Sequence, residues 1–80
     1  DLARMVQERP DDEVSVDVAR AYLVKIPQDR IDNYDSWVSI GMALHHQFQG
    51  DDVGLRLWVE CSQRGKNFDK QACVSRWKNS

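Results

Sequence analysis

Trp37, Ile40, Gly41, Leu44 and Phe48 recur at i, i+3, i+4, i+7 and i+11, so they share one face of a 3.6-residue period. That stripe predicts a helix starting near Asn33 or Asp35 and ending near Phe48, with Gly50 as its stop. Trp58 and Trp77 lie downstream, each inside a further segment of helical spacing. Three tryptophans are a heavy aromatic load for 80 residues, and all three fall on expected inward faces. Core is the favoured reading of each, ahead of stacking on nucleic-acid bases. Gly41 costs about 1 kcal/mol in a helix interior relative to alanine. Its place on the apolar face points to close approach of another helix rather than to a ligand.

The remaining chain reads in the same period. Residues 2–9 allow a short helix through Leu2, Met5 and Val6, cut off by Pro10 and the acidic run Asp11-Asp12-Glu13. A firmer helix is expected over Val16–Lys25, with Ser15 as N-cap, Asp17 in the first turn and Pro27 as terminator. Residues 28–33 are polar and read as a loop. Asp51 or Asp52 caps a helix reaching Ser62, and Asp69 caps a last one reaching Lys78, with Ala72, Cys73 and Trp77 inward. No period-2 run is long enough for a sheet. The expected fold is therefore all-α: a compact bundle of four short helices, or five if residues 2–9 are counted. The expected division is an acidic linker or tail of a preceding domain over 1–14 and a helix-bundle domain over 15–80.

The length allows one domain. Apolar residues at 41% and charged residues at 30% exclude a disordered chain. No apolar run approaches the ~18 residues of a membrane span, and the residues given do not open on a basic-then-apolar leader. The chain begins at Asp1 rather than Met and is expected to be a piece of something longer. Cys61 and Cys73 are too few for a disulfide scaffold and lack CxxC spacing, so the expected compartment is reducing and cytoplasmic.

No catalytic constellation emerges. His45 and His46 are adjacent on a helix and point about 100° apart, so they do not share an ion easily; a surface pair is expected. The two cysteines lie twelve apart on apolar faces and supply neither a zinc spacing nor an activated nucleophile. Gly50, Gly54 and Gly65 are isolated and form no phosphate loop. No cofactor or metal is expected.

The segment Tyr34-Asp35-Ser36-Trp37-Val38-Ser39-Ile40-Gly41-Met42-Ala43-Leu44 carries a resemblance, with Ile26-Pro27, Gly50, Leu57-Trp58, Ser62, Lys66-Asn67-Phe68-Asp69, Cys73 and Trp77. In order and spacing these residues resemble the primase C-terminal domain of the second type, over about Val18 to Ser80. That family is a small helical module of phage, plasmid and viral replication proteins, set between a primase-polymerase domain and a superfamily-three helicase. Phe68 departs from the family's common tyrosine, and His45-His46 from a plainer helix surface. The resemblance implies an accessory bundle that helps a primase grip single-stranded template DNA and the initiating nucleotide, without transferring nucleotides itself. It implies adjacent primase catalytic and helicase domains as partners in the parent chain, and no membrane.

Charge distribution suggests where such a grip would lie. Residues 1–61 hold six Lys or Arg against twelve acids, a balance of −6; residues 62–80 hold five against Asp69 alone, a balance of +4. Arg64, Lys66, Lys70, Arg76 and Lys78 are the expected phosphate contacts, with Phe68 as the candidate base-facing ring. Three of them have a plainer reading: Phe68 as a hydrophobic staple before Asp69, Arg76 and Lys78 as partners of a helix dipole. Two other functions remain open: a spacer docking primase on helicase without touching nucleic acid, and a protein-interaction bundle outside replication.

Overall fold

The computed structural model describes residues 13–80, with side chains from Val16 onward. The helix expected over residues 2–9 and the acidic pair Asp11-Asp12 lie outside them. Among the described residues there are five helices and no strand: α1 Glu13–Leu23, α2 Gln28–Asp32, α3 Tyr34–Gln47, α4 Asp52–Ser62 and α5 Lys70–Lys78. The all-α bundle is as the periodicity predicts.

Three helix starts follow from their caps. Asn33 Oδ1 accepts from Ser36 N–H (3.1 Å) at α3, Asp51 Oδ1 from Val53 N–H (2.9 Å) at α4, and Asp69 Oδ1 from Gln71 and Ala72 N–H (3.0 and 3.3 Å) at α5. The C-terminus of α3 closes in a Schellman motif, with Gln49 N–H on His46 O (3.3 Å) and Gly50 N–H on His45 O (2.9 Å). Both residues of that turn have positive φ, 54° at Gln49 and 77° at Gly50. The glycine stop in the sequence is the second of the two.

The first helix and the loop after it differ from expectation. α1 spans Glu13–Leu23 rather than Val16–Lys25, so Ser15 lies inside the helix and is not its cap. After Leu23 the chain tightens into i→i+3 bonds, Lys25 N–H on Tyr22 O and Ile26 N–H on Leu23 O, both 3.1 Å, and reaches Pro27 already out of α1. Residues 28–33 are not a loop: Gln28–Asp32 form α2, with Pro27 as the residue before its first turn. The ring fixes φ at −63° there, and the polar stretch helps itself with Asp29 in the first turn and Arg30 in the last. Its one buried residue, Ile31, ties it to the core.

α3 and α4 are the central pair; α5 packs on both, α1 on α4, and α2 on α3. Leu23, Ile31, Leu44, Phe48, Leu57, Trp58, Cys61, Cys73 and Trp77 form one buried cluster. The indole of Trp58 is fully buried at its centre, stacked on Trp37 at 4.6 Å and tilted against Trp77 at 6.1 Å. It lies flat on the bare backbone of Gly41, where a Cβ would stand 2.7 Å from Trp58 Cδ2 and closer still to Cε2 and Cζ2. Gly41 is thus a packing glycine. Two placements depart from the expected core and surface. Trp37 is only half-buried, because the N-terminal end of α3 is covered by little more than short α2 and the loop after α4. His45 is half-buried rather than a surface residue, its ring 4.7 Å from Trp77, while His46 is exposed.

Cys61 and Cys73 are free and buried. Burial pushes both thiols up; Arg64 opposes the shift at Cys61, and a hydrogen bond involving Ser62 opposes it at Cys73. The thiolate is the reactive form, so both should react with an aromatic disulfide reagent far more slowly in the native protein than in denaturant at pH 8. Equal rates in the two states would contradict this burial. The sign for stability follows: a raised thiol value favours the folded protein below the ordinary value of about 8.5, and that contribution is lost as pH climbs past it.

Candidate functional site

Trp37 is the side chain from which the site is built. Its Nε1 donates to Ser62 Oγ (2.8 Å), and Ser62 Oγ in turn donates to the carbonyl of Trp58 (2.6 Å). One neighbour of the indole is Trp58; another is Tyr34 one turn before it, at 5.7 Å and 46°. The ring is therefore held in place by a hydrogen bond and by stacking while part of it stays open to solvent. Tyr34 is 64% exposed and extends the aromatic surface outward.

The loop from Gln63 to Asp69 closes over this end of α3. Its first half is tied down by its own backbone and by α2: Gly65 N–H reaches Ser62 O (2.9 Å), and Lys66 N–H reaches Asp32 Oδ1 (2.8 Å). Gln28 Nε2 donates to the Arg64 carbonyl and, more weakly, to Asp32 Oδ1 (3.3 Å). The second half ends in the Asp69 cap of α5. Between α2, the start of α3 and this loop lies a groove of about 280 Å³, lined by Asp32, Tyr34, Trp37, Asn67, Phe68, Asp69 and Ala72 among others. That is just below the usual ~300–1,000 Å³ of a small-molecule pocket. Three aromatic rings and two carboxylates suit it to a flat ring carrying hydrogen-bond donors.

The residues expected to meet DNA divide into three groups. Phe68 lines the groove, lies outside the buried cluster and keeps 38% of its area exposed; the ring is used at the groove rather than inside the core. Lys66 and Lys70 are exposed and bracket the groove-lining segment 67–69 in the chain. Arg64 is exposed as a residue, yet its guanidinium donates to the carbonyls of Leu23 (2.8 Å) and Ile26 and so holds the end of α1 to the end of α4. Arg76 and Lys78 sit in the last turn of α5 on either side of buried Trp77. Two residues on a helix turn about 200°, so these two cations point to nearly opposite sides, and they stand about 9 and 12 Å along the axis from Lys70. The basic C-terminal third is not one face.

Tyr34, Trp37, Asp32 and Asn67 are the groove residues that sequence reasoning did not single out for function. The signal available was Tyr34 standing one turn ahead of Trp37, at the start of its helix. Among the described residues no three His, Cys, Asp or Glu side chains gather as a metal site. No helix among them is long and apolar enough to cross a membrane. The sequence model of the family described as Primase C terminal 2 (PriCT-2) matches residues 19–80. No curated protein and no solved structure matches the chain.

Proposed function

The chain belongs to the Primase C terminal 2 family, a primase-associated C-terminal module, and from that premise we propose that it is a non-catalytic accessory domain of a replicative primase-polymerase or primase-helicase. In this reading it grips the single-stranded template, and with it the initiating nucleotide, during primer synthesis. The observation that carries the reading is the aromatic groove of Tyr34, Trp37 and Phe68 beside a segment with a balance of +4 over residues 62–80. Exposed rings next to cations are what single-strand binding sites combine, with bases on the rings and phosphates on the Lys and Arg side chains. Lys66 and Lys70 flank the lining segment 67–69 in the chain; Arg64, Arg76 and Lys78 would add to the field.

Binding of a single-stranded oligonucleotide should weaken steeply with salt, with a slope of roughly −0.7 per phosphate neutralised. Lys66→Ala combined with Lys70→Ala should lower that slope by about one unit or more, as expected when phosphate contacts are removed. The urea midpoint should hardly move, since both side chains are exposed. Fluorescence anisotropy across a salt series checks both. An unchanged slope and unchanged primer synthesis would leave the basic loop as solvated surface.

One observation favours a second reading, a spacer that docks the primase on its neighbour. Val18 and Tyr22 lie one turn apart on α1 and are 52% and 73% exposed, with Val24 beyond them at 64%. A neighbouring domain would cover such a face. The double lysine variant separates the two readings, because a spacer is indifferent to it.

A further inference from the structure

We propose that the groove between α2, the start of α3 and the loop before α5 is a subsite for one unstacked base bearing an exocyclic amino group, cytosine rather than thymine among the pyrimidines. The proposal rests on the single-strand reading above and names what that grip would select.

The groove's size and its chemistry both point this way. About 280 Å³ admits one ring system and leaves no room for a nucleotide's phosphates as well. Three rings line it: Trp37, fixed by Trp58 and Ser62 Oγ, and the exposed Tyr34 and Phe68. A base unstacked from its neighbours recovers that stacking on aromatic side chains. Phosphate is disfavoured inside, because Asp32 and Asp69 both line the groove. The cations Lys66 and Lys70 lie at the two ends of segment 67–69, where a backbone leaving the groove would run.

The carboxylates decide which base edge fits. Asp32 is occupied, its Oδ1 taking Lys66 N–H and both oxygens taking Gln28 Nε2 (3.3 and 3.4 Å). Asp69 is different: Oδ1 takes the two amides of α5, and Oδ2 has no partner among the described residues. An ionised carboxylate only accepts, so Oδ2 favours the N4 amino group of cytosine and repels the O4 of thymine, which also only accepts. The same acceptor would take the amino group of a purine where the larger ring enters.

Fluorescence anisotropy with labelled decamers of deoxycytidine and of thymidine tests this on the chain as it stands. The cytidine decamer should bind about tenfold more tightly at one fixed salt concentration, the lower range for a specific base contact. Asp69→Asn keeps the cap, since asparagine caps a helix as well as aspartate. It offers an amide N–H to O4, so the preference should fall to parity or turn toward thymidine while the urea midpoint holds. Phe68→Leu should weaken both decamers several-fold and leave their ratio alone, because stacking does not read the base edge. Equal binding of the two decamers, or a ratio unmoved by Asp69→Asn, overturns the subsite. If that happens with the salt slope intact, the single-strand grip stands and only the subsite is lost. Failure of both decamers to bind at low salt removes the two together.

Discussion

Replacing Trp58 by alanine should leave the protein largely unfolded at room temperature. The side chain is fully buried at the junction of α3, α4 and α5, touching Trp37, Trp77 and Gly41. Truncating a buried aromatic costs about 3–5 kcal/mol, lost burial and residual cavity together. Small domains hold about 5 kcal/mol or somewhat more in total, so the loss is comparable with everything available. Far-ultraviolet circular dichroism through a urea titration measures it. A cooperative transition within about 1 kcal/mol of the parent would show that Trp58 is not the centre of the core. Trp58→Phe should be much milder. The indole Nε1 is buried without a hydrogen-bond partner among the described residues, so phenylalanine loses area but no hydrogen bond.

The second large effect is expected from adding a single methyl group. In an exposed helix, Gly41→Ala would stabilise by about 1 kcal/mol. Here the new Cβ would overlap the six-membered ring of Trp58, which cannot retreat because Trp37 and Trp77 flank it. Overpacking a filled core costs about 1–3 kcal/mol, so the sign reverses and Gly41→Ala should destabilise by about that much net. The pair should couple: adding Gly41→Ala to Trp58→Phe should cost less than the sum of the single changes, because the smaller ring vacates the site of the clash. Urea midpoints of the four proteins in this cycle give the coupling directly. A stabilising Gly41→Ala would mean that the indole is not seated on that backbone.

The same contact shows how far local pattern reaches. Gly41 on the apolar stripe signalled close approach of another helix, and the structure supplies Trp58 as the partner. The Asp69 cap was also legible, and the one at Asp51 to within a residue, since a cap needs only a side chain and amides two or three residues on. α2 was not. Four polar residues and one isoleucine after a proline carry no stripe, and the helix persists because Ile31 reaches the core. The Pro27 position held the available hint, as proline favours helix starts as well as ends.

The groove was out of reach for a different reason. Its walls come from residues 31–37 and 62–72, joined by contacts such as Lys66 N–H to Asp32 and Trp37 Nε1 to Ser62, which are 34 and 25 residues apart. Arg64 shows the limit best. By composition it is one of five cations in an electropositive tail, yet its guanidinium closes the ends of α1 and α4 together through two backbone carbonyls.

By itself the sequence determined the helices that carry a stripe, the caps of the last two and the tryptophan-centred core, because periodicity and capping are interactions between near neighbours in the chain. Tertiary structure decided that Trp37 keeps an open face, that Phe68 turns to a groove, and that the basic residues spread over several directions. Those outcomes depend on which distant segments cover each side chain, and nothing in the spacing along one segment records that.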